Sequence, residues 1–288
     1  MSEQLRGSGC ELILATSPLK SVEEIERSII KKYRKTIWTQ FIKAVKEFKL
    51  IEEGDRIAVG VSGGKDSLIL CKLLQEIQRH GQVKFELEFL AMNPGYHPVN
   101  EKLLKENCAH LNIPITYFDS GIFEVVDKIS SDYPCYMCAK MRRGTLYAKA
   151  KEVGCNKLAL GHHFDDVIET QLLNIFYAGM TKTMMPRLKS DNFEGLELIR
   201  PMYYIREEEI IHFTKSSGLA PMNCGCMVAA KKTSSKRLEM KALIKQLKAS
   251  NPDVEKSILK SAHNVQMDCV VGWQKSGKMH NFLDDYFD

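Results

Sequence analysis

A chain of 288 residues, 44% hydrophobic and 27% charged, has enough apolar material for one large domain with appended segments, or for two domains. No run approaches the roughly 18 consecutive apolar residues of a membrane helix. The first twenty residues hold one short apolar patch, Leu12 to Ala15, without a long apolar core or a small-residue cleavage site. An integral membrane protein and a secreted one are therefore not expected, and a cytoplasmic location is.

The excess of positive charge, 41 Lys and Arg against 36 Asp and Glu, is modest and compatible with an ordinary solvated surface. Its clusters say more. Lys31 to Lys35, Lys140 to Arg143 and Lys231 to Arg237 are groupings of the kind that neutralise nucleic-acid phosphates.

From Ser21 to about Leu50, apolar residues including Ile25, Ile29, Tyr33, Ile37, Phe41 and Val45 recur at helical spacing, which predicts an amphipathic helix. Arg56 to Val61 reads as a short apolar strand, followed by glycines and a helix over about 66–78. Further strands are expected at Phe85 to Met92, Ile115 to Phe118 and Lys157 to Gly161, with helices over 97–111, 137–153 and 165–178. This alternation predicts an α/β fold, a parallel sheet with helices on both faces. Right-handed crossovers then place the ligand at the carboxyl ends of the strands. Ser62-Gly63-Gly64, Asn93-Pro94-Gly95 and Gly161-His162-His163 all follow strands, so all three loops should reach one site.

After Ile210 the pattern changes: a helix over about 206–217, a turn at Pro221 to Met227, a basic helix from Lys232 to Ala249 and another helix over 252–265 are expected. The tail from Gln266 is weakly patterned. The expected organisation is an N-terminal helical segment (1–50), an α/β nucleotide-binding domain (51–220) and a C-terminal helical segment (221–288).

The stretch Val59 to Leu70, VGVSGGKDSLIL, has the form of a phosphate loop. It lacks the Walker pattern, because Val59 stands where a glycine is required and Asp66 where Ser or Thr must follow the lysine. It lacks the G-x-G-x-x-G pattern as well. What remains is a glycine loop at a helix N-terminus, where backbone N–H groups, the Ser62 and Ser67 hydroxyls and the Lys65 ammonium can hold an anion. Asp66 would be repulsive there unless it caps the helix or helps hold Mg²⁺.

Nine cysteines in a reducing compartment are expected as thiols, which turns attention to metal binding or catalysis. Cys135 and Cys138 form C-x-x-C, and Cys224 and Cys226 follow about 90 residues later. Such thiolates can hold zinc, form a redox disulfide, or bind a [4Fe–4S] cluster through three of their number, leaving one iron without a protein ligand. Cys10, Cys71, Cys108, Cys155 and Cys269 are isolated and read as small buried hydrophobes. The third motif, Gly161-His162-His163-Phe164-Asp165-Asp166, could ligate a divalent metal or supply a helix cap.

Ser62-Gly63-Gly64-Lys65-Asp66-Ser67 resembles the PP-loop of the ATP pyrophosphatases, which cleave ATP between the α- and β-phosphates and adenylate a substrate oxygen. With the C-x-x-C followed by Arg142-Arg143, the G-H-x-x-D-D loop and a late cysteine ahead of Lys236 to Lys241, the chain most resembles the tRNA 2-thiocytidine synthetases over roughly residues 31–265. That resemblance implies an ATP-dependent enzyme that replaces a cytosine oxygen of the tRNA anticodon loop with sulfur. Its implied cofactors are ATP, Mg²⁺ and a [4Fe–4S] cluster on Cys135, Cys138 and one late cysteine. The eleven residues from Cys226 to Arg237 match the family spacing and favour Cys226, with Cys224 the alternative.

It further implies ATP contacts at Val61, Ser62, Gly63, Gly64, Lys65, Asp66, Ser67, Met92, Gly161 and Asp166. The catalytic candidates are Asp66, Arg142, Asp165 and Asp166. Partners implied are tRNA and a sulfur donor, either sulfide or a cysteine desulfurase persulfide, and the resemblance admits a homodimer. The related 2-thiouridine branch carries a lysine where this chain has Arg142, which can clamp phosphate but cannot serve as a base. That branch also carries terminal zinc-finger cysteines, which this chain lacks. Alternative readings are 2-thiouridine synthesis, a PP-loop enzyme acting on a small metabolite with a zinc site, and a non-catalytic iron–sulfur or sulfur-relay protein.

Overall fold

The computed structural model describes residues 15–122, 134–222, 235–284 and 286, with backbone alone described at 134–139 and at 235. Cys10, Cys224, Cys226, Lys231 and Lys232 lie outside the described residues, and of Cys135 and Cys138 only the backbone is described.

The single N-terminal helix expected from the periodicity is divided. Helix α1 (Val22–Ile30) starts from a capping box in which Ser21 and Glu24 exchange hydrogen bonds. A π turn (Arg34–Trp38) follows, then α2 (Thr39–Glu47). Ile25, Ile29, Tyr33, Ile37 and Phe41 are all buried, yet a spacing of four drifts by about 40° per step around a helix of 3.6 residues per turn. The wider π turn, closed by Trp38 N–H donating to Tyr33 O at 3.2 Å, takes up the surplus and keeps the stripe on the core.

Then come β1 (Arg56–Gly60), α3 (Lys65–His80), β2 (Glu86–Asn93), α4 (Pro98–His110), β3 (Ile115–Asp119), α5 (Pro134–Glu152), β4 (Lys157–Ala159) and α6 (Phe164–Ala178). Two short strands not expected from the sequence, β5 (Arg187–Lys189) and β6 (Glu197–Ile199), precede α7 (Glu207–Ser217), α8 (Ser235–Ser250) and α9 (Val254–Ser261). The weakly patterned tail forms a hairpin of β7 (Gly272–Lys275) and β8 (Lys278–Asn281), so the C-terminal segment is not wholly helical.

The main sheet has the order β3-β2-β1-β4-β6-β5. Every pairing is parallel except β5 with β6, which adds an antiparallel edge to the expected parallel sheet. Strand side chains alternate between faces. Ile57 and Val59 join the core under α1 to α4 and α7, while Ala58 packs with Tyr147 and Ala150 of α5 on the other face. Helices therefore cover both faces, as expected for parallel strands. A third core joins α6 to α8 and α9 through Val167, Ile168, Met240, Ile244 and Leu259.

Strand order reverses between β1 and β4, the topological switch point where ligands bind at the carboxyl edge. At the opposite, amino edge of the same strands, buried Lys157 donates to Asp55 Oδ2 at 2.6 Å and to Glu52 Oε2 at 3.0 Å. Asn156 Nδ2 donates to Asp55 Oδ1 at 2.7 Å.

Candidate active site

The carboxyl edge of β1 and β4 opens into a cavity of about 430 Å³. Gly60 to Ser62, Asp66 and Ser67 line it from β1 and α3, and Met92 from the end of β2. Gly161 and His162 line it after β4, Asp166 from α6, Arg142 and Arg143 from α5, and Met184 and Arg200 from the β5 and β6 region. The loops after β1 and β4 thus meet where the sequence placed them, whereas β2 contributes Met92 of the strand itself and the expected loop Asn93-Pro94-Gly95 does not line the cavity.

The loop after β1 is shaped by its own hydroxyls. Ser62 N–H donates to Ser67 Oγ at 3.2 Å, the two Oγ atoms lie 3.2 Å apart, and Ser67 Oγ donates to Gly64 O at 3.0 Å. Gly63 has φ +77°, which favours glycine, and a Cβ there would also sit tightly against Leu104 at 3.2 Å. Gly64, not Asp66, is the N-cap of α3, and no side chain caps that helix. The first-turn N–H groups therefore face an open terminus suited to an anion. At Gly161 the requirement is close approach, since a Cβ would fall 3.0 Å from the Asp66 carbonyl carbon and oxygen.

Around this terminus acids and bases interleave. Lys65 Nζ lies 2.9 Å from Asp66 Oδ2 and 3.1 Å from Glu207 Oε1. Lys241 Nζ on α8 lies 2.7 Å from Glu207 Oε2, and Arg237 bridges Glu169 Oε2 at 3.0 Å and Asp166 Oδ1 at 3.4 Å. His163, buried, sits 3.5 to 3.8 Å from carboxylate oxygens of Asp66, Asp165 and Asp166. Burial would lower the Lys65 pKa, but Asp66 and Glu207 outweigh it and hold that pKa at about 12. Burial would raise Asp166, but His163 and Arg237 bring it down to about 2. Burial dominates elsewhere, lowering His162 to about 4 and Arg200 to about 10. At pH 7 the cavity thus presents an ionised Asp166 and a neutral His162 imidazole, with a charged Lys65 at the adjoining helix start.

A PP-loop domain matches residues 34–222. The tRNA-cytidine(32) 2-sulfurtransferase of Geobacter metallireducens is 42% identical over 241 residues, covering 82% of this chain and 91% of that protein. The chain belongs to the PP-loop family of tRNA-cytidine(32) 2-sulfurtransferases. The relative of the same description from Pelobacter propionicus is 41% identical over 238 residues, covering 82% and 87%. Among solved structures, the U34-tRNA thiolase NcsA from Methanococcus maripaludis, described with its [4Fe-4S] cluster, has a TM-score of 0.64 at 21% identity and 91% coverage of each chain. That likeness bears on the fold.

Within this PP-loop frame the anticipated residues divide. Val61, Ser62, Asp66, Ser67, Met92, Arg142, Gly161 and Asp166 line the cavity, whereas Gly63, Gly64 and Lys65 form the adjoining loop and helix start. Asp165 is not in the cavity wall; its Oδ2 accepts from the Glu207 backbone N–H at 2.7 Å, at the start of α7. Arg142 Nη2 donates to Tyr96 OH at 3.2 Å. Arg237, read from sequence as one of the basic residues for a nucleic-acid backbone, instead turns inward to Asp166 and Glu169. Positions 135 and 138 fall in the first two turns of α5, and Arg142 follows position 138 by one helical turn.

Arg143, Arg200, Glu169 and Glu207 were not anticipated at the site. Arg200 had one available signal, an arginine directly after a short apolar stretch, which places it at the same edge as Ser62 and Gly161.

Proposed function

We propose that the chain is an ATP-dependent tRNA sulfurtransferase that converts a cytosine of the anticodon loop to 2-thiocytosine. The observation that carries this reading is a cavity in which the PP-loop faces Arg142, Arg143 and Arg200, with Arg142 one helical turn beyond position 138 of the C-x-x-C on α5. The β- and γ-phosphates are held by the open N-terminus of α3 and by Lys65, and the adenine lies toward Met92. Arginines opposite the loop neutralise the α-phosphate as the cytosine O2 attacks it and pyrophosphate leaves. AMP then departs with that oxygen when sulfide adds at C2, so the base exchanges its oxygen for sulfur.

The residues present fit the implied metal groups. Asp66 Oδ1 is buried with no hydrogen-bond partner, so Asp66, with Asp166 beside it, would hold Mg²⁺. Cys135, Cys138 and Cys226, or Cys224 in place of the last, are a thiolate set that suits a [4Fe–4S] cluster, which when bound supplies an iron lacking a protein ligand for sulfide. The sulfur comes from sulfide or from a cysteine desulfurase persulfide. The division into segments 1–50, 51–220 and 221–288, cytoplasmic location and a homodimer belong to the same proposal.

The test is mass spectrometry of tRNA nucleosides from cells lacking the protein, together with pyrophosphate release by the anaerobically purified enzyme. Loss of 2-thiocytidine and tRNA-dependent pyrophosphate release are expected. Pyrophosphate release independent of tRNA, with zinc and no iron in the protein, would sink the reading in favour of a small-metabolite enzyme.

A further inference from the structure

Helix α6 begins at the cavity with Asp166 and ends on the surface in an unusual way. Ile175, Phe176, Tyr177 and Ala178, four consecutive residues, are all exposed, and the exposure continues through Met180 to Lys182. Phe176 is 59% exposed, Met180 49% and Tyr177 45%. Isolated apolar residues on a surface need no explanation, but a contiguous exposed apolar run is the mark of a contact surface.

The run is also held in place. Met180 N–H donates to Asn174 O at 3.0 Å, and Asn174 Nδ2 donates to Lys182 O at 2.8 Å, closing the helix end into a fixed turn. Lys236 Nζ stands 4.6 Å from the centre of the Tyr177 ring, whose hydroxyl donates to Glu239. Lys236 and Lys182 are both exposed, so the aromatic surface carries cations at its rim.

We propose that Phe176, Tyr177 and Met180, rimmed by Lys182 and Lys236, form a platform on which unpaired RNA bases next to the modified one stack. Exposed aromatic rings beside lysines are the chemistry that holds single-stranded nucleic acid, the rings taking bases and the cations taking phosphates. Phe176 and Tyr177 of the platform share one helix with the cavity residue Asp166. Phe176 lies ten residues beyond Asp166 on one helix, about 15 Å along its axis, the rise of about four stacked nucleotides. Eight residues after Phe176 the chain is back at the cavity wall with Met184. A base drawn into the cavity would leave its neighbours in the loop over Phe176. The inference rests on the tRNA reading above and adds to it the surface that recognises the loop.

The test measures binding of a synthetic anticodon stem-loop RNA to the full-length, cluster-loaded protein and to its Phe176→Leu and Phe176→Trp variants, with ATP affinity measured alongside. Leucine keeps an apolar, helix-forming side chain at an exposed site and removes only the ring. Phe176→Leu is expected to raise the Kd for the stem-loop by about 5- to 150-fold while leaving ATP affinity unchanged. Phe176→Trp is expected to bind within about threefold of the wild type, with its added indole emission quenched by the RNA.

If the wild type binds the stem-loop and Phe176→Leu binds it equally well, the platform is overturned and the tRNA reading stands. If the wild type does not bind it, the tRNA reading falls and the platform falls with it. A Phe176→Leu protein that turns from dimer to monomer with unchanged RNA affinity overturns the proposal in favour of an interface between two copies.

Discussion

The β1 and β4 strands end in a buried charge cluster at each edge of the sheet, and the two clusters are built on opposite principles. The cavities are similar in size, about 490 Å³ at the amino edge and about 430 Å³ at the carboxyl edge. At the amino edge both Asp55 oxygens accept hydrogen bonds, from Asn156 and from Lys157 and the Glu52 N–H, and Lys157 also reaches Glu52. At the carboxyl edge Asp66 Oδ1, His162 Nδ1 and Arg200 Nε are buried without hydrogen-bond partners. Each such orphan costs about 1–3 kcal/mol, and folded proteins retain few of them. Cavity volume and charge do not separate a strut from a site here; unmet hydrogen-bonding capacity among the residues lining each cavity does.

The comparison can be broken most severely at the strut. Lys157→Met leaves Asp55 buried without its cation and is expected to destabilise the fold by about 3–5 kcal/mol, read from urea unfolding, with the ATP KM of the folded fraction unchanged. A loss below about 1 kcal/mol would remove the distinction. Arg200→Met should behave in the opposite sense. It deletes a cavity cation and is expected to lower kcat for tRNA-dependent pyrophosphate release by about 10²–10³, with unfolding shifted less than by Lys157→Met; an unchanged kcat would take Arg200 out of the chemistry.

Gly161→Ala sharpens the comparison at the backbone. Its Cβ would meet the Asp66 carbonyl at 3.0 Å and force the loop after β4 away from the start of α3. Overpacking of this kind costs about 1–3 kcal/mol, expected as weaker ATP binding by calorimetry. Affinity equal to the wild type would show that the close approach is not needed.

The smallest effect concerns Glu169, which burial raises to about 7 against the pull of Lys241 and Arg237. Between about pH 4.5 and pH 7 the native carboxyl keeps a proton that the unfolded one loses, so this group makes stability fall as pH rises through that window. Glu169→Gln is expected to flatten that fall by on the order of 1 kcal/mol once solvent screening is allowed for. Thermal melts at several pH values check it, and a slope identical to the wild type would refute the assignment.

The strand, glycine loop and helix around Ser62 were legible because continuous apolar residues bounded by glycines leave few alternatives. So was the convergence of the loops after β1 and β4, which follows from parallel connectivity once the strands are placed. The three-residue strands β5 and β6 were not, since three residues carry almost no periodicity. The π turn was hidden because its buried residues keep a plausible helical spacing. At the site, glycine and hydroxyl positions could be read from local motifs. The partners of Asp166, Glu169 and Glu207 could not, because Arg237 and Lys241 reach them from a helix some 70 residues later in the sequence for Asp166.

Helix α5 runs without interruption from Pro134 to Glu152, and positions 135 and 138 share that one rod with Arg142 and Arg143. Their relation to the cavity is therefore a matter of helical phase. Inserting one residue between 138 and 142 would turn the two cysteine positions by about 100° about the axis relative to the arginines. Insertions in a surface loop are absorbed; here the spacing acts as a gear tooth, and the chain can vary around it only by whole turns.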